Sequence, residues 1–195
     1  MIRSVFKSRV GRVVSVAAAV VVVMGICLWN IPLMGQWRAD RPVTGFLLES
    51  PVSEGPWQRQ TDRDPGAPYM RGLDERQERS FVRDASDPSK GRVSQTVMRF
   101  GSPTWAWLVF RSGGLKSRYS RYGQVESISV SGSRSADDQE YACLLSEGAE
   151  CQKWGIWLRY GQYLVEVVGV EESSIDGAAE SMRQLAGKVD LEMRD

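Results

Sequence analysis

From Val13 to Trp29, seventeen consecutive residues carry no charge (VVSVAAAVVVVMGICLW), and the uncharged run continues through Gln36. A helix of about 20 such residues, rising 1.5 Å per residue, crosses roughly 30 Å of hydrocarbon. Residues 13–35 are therefore expected to form a transmembrane helix, with the lipid bilayer as the first partner of the chain. Trp29 and Trp37 fall where the outer interface lies, the level that amphipathic aromatic rings prefer. Four basic residues precede the run (Arg3, Lys7, Arg9, Arg12), and no acidic residue occurs before Asp40. The positive-inside rule then leaves 1–12 as a cytoplasmic basic tail, 36–42 as a juxtamembrane linker and 43–195 as one extracytoplasmic domain. The competing reading is a cleaved secretory signal and a secreted product. The length of the run and the lack of a small-x-small site between Leu28 and Ala39 favour the anchor, and bulky Ile26 before Cys27 disfavours a lipoprotein signal.

About 160 residues remain, enough for one domain with a substantial core. Outside the tail, 21 basic residues face 24 acidic ones, a net charge of about −3. That balance argues against nucleic acid as a partner, because phosphate binding needs a concentrated basic surface. The chain contains no His. A Ser-His-Asp triad, a Cys-His pair and every His-containing metal site are thereby excluded. No G-x-S-x-G elbow or Gly-Lys-Ser/Thr phosphate loop occurs either, so no catalytic residue, cofactor or metal ligand is assigned.

Within the domain, strand patterns are read at 43–49, 80–82, 93–100, 105–111, 125–130, 155–160 and 163–170. The Pro- and Gly-rich stretch 50–74 is expected to be an irregular loop. Gly161-Gln162 between the last two strands matches a type II′ hairpin turn, which would set Tyr160 opposite Tyr163 and Leu158 opposite Val165. Residues 174–188 place Ile175, Ala178, Met182, Leu185, Ala186 and Val189 on one helical stripe, with a capping-box start at Ser173 and Asp176. The fold class expected is α+β: an N-terminal transmembrane helix, then an antiparallel β-sheet with a C-terminal helix packed on it.

Cys143 and Cys151 are the only cysteines outside the apolar run, and in an oxidising compartment such a pair forms a disulfide. The acidic pairs Asp137-Asp138 and Glu171-Glu172 sit beside expected loops, where solvated charge is the ordinary outcome. The segment RSGGLKSRYSRYGQ (111–124) interleaves Lys116, Arg118 and Arg121 with Tyr119 and Tyr122. Cationic and aromatic groups together recognise anions and protein surfaces, so these five residues form the candidate binding surface, on what is expected to be a polar hairpin loop. The function expected is a membrane-anchored extracytoplasmic binding module, an accessory subunit partnering another membrane or envelope protein. A ligand-binding sensory domain is the alternative, and an extracytoplasmic enzyme a third reading.

Overall fold

The computed structural model describes residues 20–21, 36–51, 56–64, 70–87, 91–147 and 150–194. The chain divides into two units, Met1–Gly35 and Gln36–Asp195. In the first, only Val20 and Val21 are described, and both are helical. Apart from these two, the expected transmembrane helix, Trp29 included, lies outside the described residues, and among those described no helix is long and apolar enough to cross a membrane. Trp37, in the second unit, is exposed.

The second unit is built on one antiparallel sheet of seven strands: β1 (Gln58–Arg59), β2 (Leu73–Val82), β3 (Arg92–Phe100), β4 (Glu126–Ser127), β5 (Asp138–Glu147), β6 (Glu150–Tyr160) and β7 (Tyr163–Ser174). Their spatial order is β1-β2-β3-β7-β6-β5-β4. The last strand in sequence is inserted at the centre, between β3 and β6. The β6–β7 hairpin has the expected register, Tyr160 opposite Tyr163 and Leu158 opposite Val165. Gly161 has φ 57° and Gln162 a negative φ, as a type II′ turn requires.

The two faces of the sheet carry different cores. On the first face lies the C-terminal helix, Ile175–Glu192, whose Ala178, Met182, Leu185, Ala186 and Val189 pack on Trp154, Ile156, Leu158, Val165 and Val167. Its cap is Ser174, whose hydroxyl accepts from the Gly177 N–H at 3.1 Å, one residue later than the capping box expected from sequence. The segment 36–48 lies on the same face. Gln162 bonds both the N–H and the carbonyl of Arg38, the Tyr163 hydroxyl bonds the backbone of Ala39 and Arg41, and the Gln95 amide bonds Phe46 and Leu48. Val43–Phe46, expected as the first strand, is a 3-10 turn. The Val43 N–H donates to the Glu75 carboxylate, the Phe46 carbonyl accepts from the Gln95 amide and the Gly45 N–H closes the turn onto the Pro42 carbonyl, so these groups are engaged outside the ladder.

On the second face, Pro103–Ser112 and Leu115–Tyr119 are helices, numbered α1 and α2, with the C-terminal helix as α3. The expected strand 105–111 is therefore helical. Its start signal is Ser102, which accepts from the Trp105 N–H at 3.3 Å, followed by Pro103 in the first turn, where a missing N–H costs nothing. Ala106 and Phe110 then fall four apart on one face and pack with Met98, Phe100, Trp157 and Leu164. The expected hairpin around 115–122 is likewise helical, with a 3-10 turn at Ser120–Tyr122. The expected strand at 125–130 shrinks to Glu126–Ser127 on the sheet edge. The pattern hid a full strand, β5, in which Asp138 accepts from Arg159, Gln139 accepts from the Ser133 N–H and the Tyr141 hydroxyl, and Glu140 accepts the N–H groups of Leu115 and Lys116.

The Sγ atoms of Cys143 and Cys151 are bonded, with Cα atoms 5.7 Å apart. They are not direct register partners; Cys143 faces Trp154 and Cys151 faces Ser146, and the β5–β6 register is irregular between them. Both sit in the first-face core.

A half-covered sheet face forms the candidate binding site

The alternation of side chains along the strands decides where the site falls. On the second face, β3 presents Arg92, Ser94, Thr96, Met98 and Phe100 in succession. The apolar end of that series is roofed by α1 and α2. The polar end is not, and three rows of side chains stand there: Glu78, Thr96 and Glu166; Ser80, Ser94 and Val168; Arg92, Val170 and Lys153. All of these but Ser80 line a groove of about 290 Å³, closed at one end by Arg118 and Tyr119 of α2 and flanked by Arg76.

Glu166, buried at 5% exposure, ties the helix to the floor of the groove. The Tyr119 hydroxyl donates to Glu166 Oε1 at 3.0 Å, and Arg118 Nη2 pairs with Glu166 Oε2 at 3.2 Å. The Arg118 guanidinium lies 4.9 Å from the centroid of the Trp157 ring, so the cation is held by a carboxylate and an indole face together. Burial raises the Tyr119 phenol well above its ordinary pKa, and the Glu166 charge adds to the rise; it stays a neutral donor at every physiological pH. Burial lowers the pKa of Arg76 from its ordinary value, against the opposing pull of Glu166. Lys153 Nζ stands 4.9 Å from the Tyr119 ring centroid, and Arg92 Nη2 donates to Ser80 Oγ at 3.4 Å.

The five residues singled out from sequence separate in the fold. Arg118 and Tyr119 are half-buried and shape the groove. Arg121 and Tyr122 stay outside it, lining an adjoining hollow of about 410 Å³ that shares Arg118 and Tyr119. There the Arg121 guanidinium stacks 4.7 Å from the Tyr122 ring, which is 63% exposed. Lys116 is exposed, and its backbone N–H, with that of Leu115, donates to the Glu140 carboxylate at the start of α2. Arg92, Lys153, Thr96 and Glu166 were not singled out, because they come from three strands whose adjacency depends on the β3–β7 crossover. The one local signal was β3 itself, polar at alternate positions on one half and apolar on the other.

The acidic pair Asp137-Asp138 is not solvated. Arg159, 1% exposed, donates from Nε to Asp138 at 2.6 Å and lies 3.4 Å from Asp137, which also accepts the Gly161 N–H at 2.6 Å. This carboxylate pair holds the hairpin turn, and Glu171 pairs with Arg83 at 2.7 Å. Among the described residues, no three His, Cys, Asp or Glu side chains converge as metal ligands.

The class defined by these observations is an α+β domain: a seven-stranded antiparallel sheet with its last strand at the centre, a helix on one face and a groove beside two short helices on the other. The fold is similar to that in the crystal structure of the extracellular domain of PknH from Mycobacterium tuberculosis, with a TM-score of 0.50 across 76% of this chain and 94% of that one. Sequence identity is 13%, so the likeness is one of fold. No protein family matches the sequence, and no curated protein does.

Proposed function

We propose that the chain is an extracytoplasmic recognition module, tethered to a membrane by residues 13–35, that binds a ligand in the groove on the second face of its sheet. The observation that carries this reading is the half-covered face, where charged and hydroxylated side chains from β2, β3, β6 and β7 line one concavity beside α2. A sheet face that served only stability would be roofed along its length or scattered with solvated charge. Here the charges converge, and buried Glu166 fixes the wall of the concavity. The Cys143–Cys151 bond supports a compartment outside the cytoplasm, since such bonds persist in oxidising surroundings. The likeness in fold to the extracellular domain of PknH points the same way.

A second reading, recognition of another membrane or envelope protein, draws on exposed Tyr122 and Arg121 beside the groove, residue types enriched at binding hot spots. The two readings part in one experiment. Full chain in detergent micelles is mixed with fractions of an envelope extract and its melting temperature is followed, beside Thr96→Trp, which fills the groove, and Arg121→Ala/Tyr122→Ala. A ligand at 100 times its Kd stabilises by about 2.7 kcal/mol. The groove reading expects a fraction that raises the melting temperature of the unmodified chain and of Arg121→Ala/Tyr122→Ala but not of Thr96→Trp. Equal stabilisation of Thr96→Trp, or none with any fraction, overturns it.

A further inference from the structure

We infer that the ligand of the groove bears a phosphate monoester, received by Arg92 and Lys153; this rests on the groove being the binding site. Register places the two cations. Arg92 is paired with Val170 across β3–β7, and Lys153 is paired with the same Val170 across β6–β7. With strands about 4.8 Å apart, their Cα atoms lie roughly 10 Å from one another on either side of one residue, a span that two long side chains close over an anion.

Among the described residues, the charges of the groove give these two cations no carboxylate partner. Four cations line it, Arg76, Arg92, Arg118 and Lys153, against two carboxylates, Glu78 and Glu166. Glu166 is engaged by Arg118 and Tyr119. Among the described residues, no carboxylate stands within ion-pair distance of Arg92, whose neighbour is the Ser80 hydroxyl, or of Lys153, which lies over the face of Tyr119. Among the described lining residues the excess is two positive charges. A phosphate monoester carries about −1.5 to −2 at neutral pH and offers three strong acceptor oxygens, whereas a lone carboxylate would leave one cation uncompensated. The Thr96 hydroxyl, on the same face and within the same groove, is a further donor. Val168, Val170 and the Tyr119 ring provide an apolar wall for the carbon side of the ester. Arg, with its planar fork, suits one edge of the phosphate, and Lys suits the other as a point charge.

The monoester has two sources, a soluble phosphorylated sugar or a lipid headgroup, and the test separates them. Full chain in micelles is titrated calorimetrically with glucose 6-phosphate and with glucose, and full chain is floated with vesicles of phosphatidylcholine with or without phosphatidic acid. Binding of the sugar phosphate but not the sugar, or of phosphatidic acid vesicles in excess of phosphatidylcholine alone, supports the assignment and names the source. Arg92→Gln/Lys153→Gln should weaken that binding by about a hundredfold, roughly tenfold for each cation replaced. Arg92→Lys/Lys153→Arg should restore most of it, and Lys116→Gln, outside the groove, should leave it unchanged. Binding of glucose as tight as that of its phosphate, no binding of either monoester, or undiminished binding by the Gln variant overturns the inference. If envelope fractions still stabilise the unmodified chain but not Thr96→Trp, the phosphate assignment alone has failed; if they do not, the groove reading has failed with it.

Discussion

Asp190 bonds α3 both to the loop before β5 and to Tyr160 of β6. It is 4% exposed and accepts three hydrogen bonds: from Ser133 Oγ at 2.6 Å, from the Arg134 N–H at 2.6 Å and from the Tyr160 hydroxyl at 2.7 Å. Burial alone would raise its pKa, but the donors of Ser133, Arg134 and Tyr160 outweigh burial and hold it below the ordinary carboxylate value. Asp190→Asn keeps the shape and exchanges one acceptor oxygen for an NH2 donor. The Arg134 N–H can only donate and keeps the amide oxygen, which turns the amide NH2 toward the Ser133 and Tyr160 hydroxyls; these can accept from it, but their own protons lose the charged acceptor. Hydrogen bonds to a charged group are worth about 1.5–3 kcal/mol, and an unpaired buried donor costs about 1–3 kcal/mol, so the expected loss at pH 7 is roughly 3 kcal/mol. At about 2–4 °C per kcal/mol for a domain this size, the melting temperature falls by roughly 6–12 °C. The sign of the pH dependence follows from the depressed pKa. The carboxylate stabilises the fold above its unfolded pKa, near 4, and that contribution is lost as pH falls through the lower folded value. The gap between the native chain and Asp190→Asn should therefore be full at pH 7 and close progressively below pH 4. Tryptophan fluorescence during thermal unfolding reads both quantities. A deficit under 1 kcal/mol at pH 7, or one that stays constant from pH 7 to pH 3, refutes the account.

Arg79, buried on the first face, holds Asp62 through two bonds of 2.8 Å and the carbonyls of Leu47 and Leu48 at 3.1 and 3.0 Å. Arg79→Met should cost about 3 kcal/mol in urea unfolding, because those acceptors lose their partner together. In the native chain the Arg79 hydrogen bond holds Asp62 at about 2, so this pair's contribution should be almost full at pH 4 and decline steadily from there as pH falls toward 2. Reducing the Cys143–Cys151 bond, or Cys143→Ala/Cys151→Ala, should lower stability by about 2–3 kcal/mol, the loop-closure value for so short a loop, measured as a shift of the urea midpoint. Gly161→Ala would force a Cβ at φ 57° against the Gln36 carbonyl and Arg38. A loss of about 1–3 kcal/mol is expected, with faster hydrogen exchange at the Arg38 N–H bonded to Gln162; an unchanged exchange rate there would contradict the docking of 36–38 on the turn.

What the sequence determined by itself was local. The β6–β7 register followed from Gly161-Gln162, because a two-residue turn with Gly first leaves the flanking strands a single pairing. The C-terminal helix followed from an apolar stripe of period 3.6, and the α+β class from strands that needed a cover. The disulfide followed from two isolated cysteines. Local signals also existed where they were outweighed: Ser102-Pro103 opens α1, yet Trp105, Trp107 and Val109 read as a strand, because aromatic and β-branched content does not distinguish the two states in so short a run. The tertiary structure alone decided that 36–48 lies across the first face rather than in the sheet, since its partners, Gln95, Arg79 and Tyr163, are up to 124 residues away. It alone decided the groove as well. Arg118 and Tyr119 were visible as a cationic and aromatic cluster, but their role depends on Glu166, and Arg92 and Lys153 become neighbours only because β7 enters between β3 and β6. A side chain's period shows which face it occupies; only the order of strands shows what stands beside it.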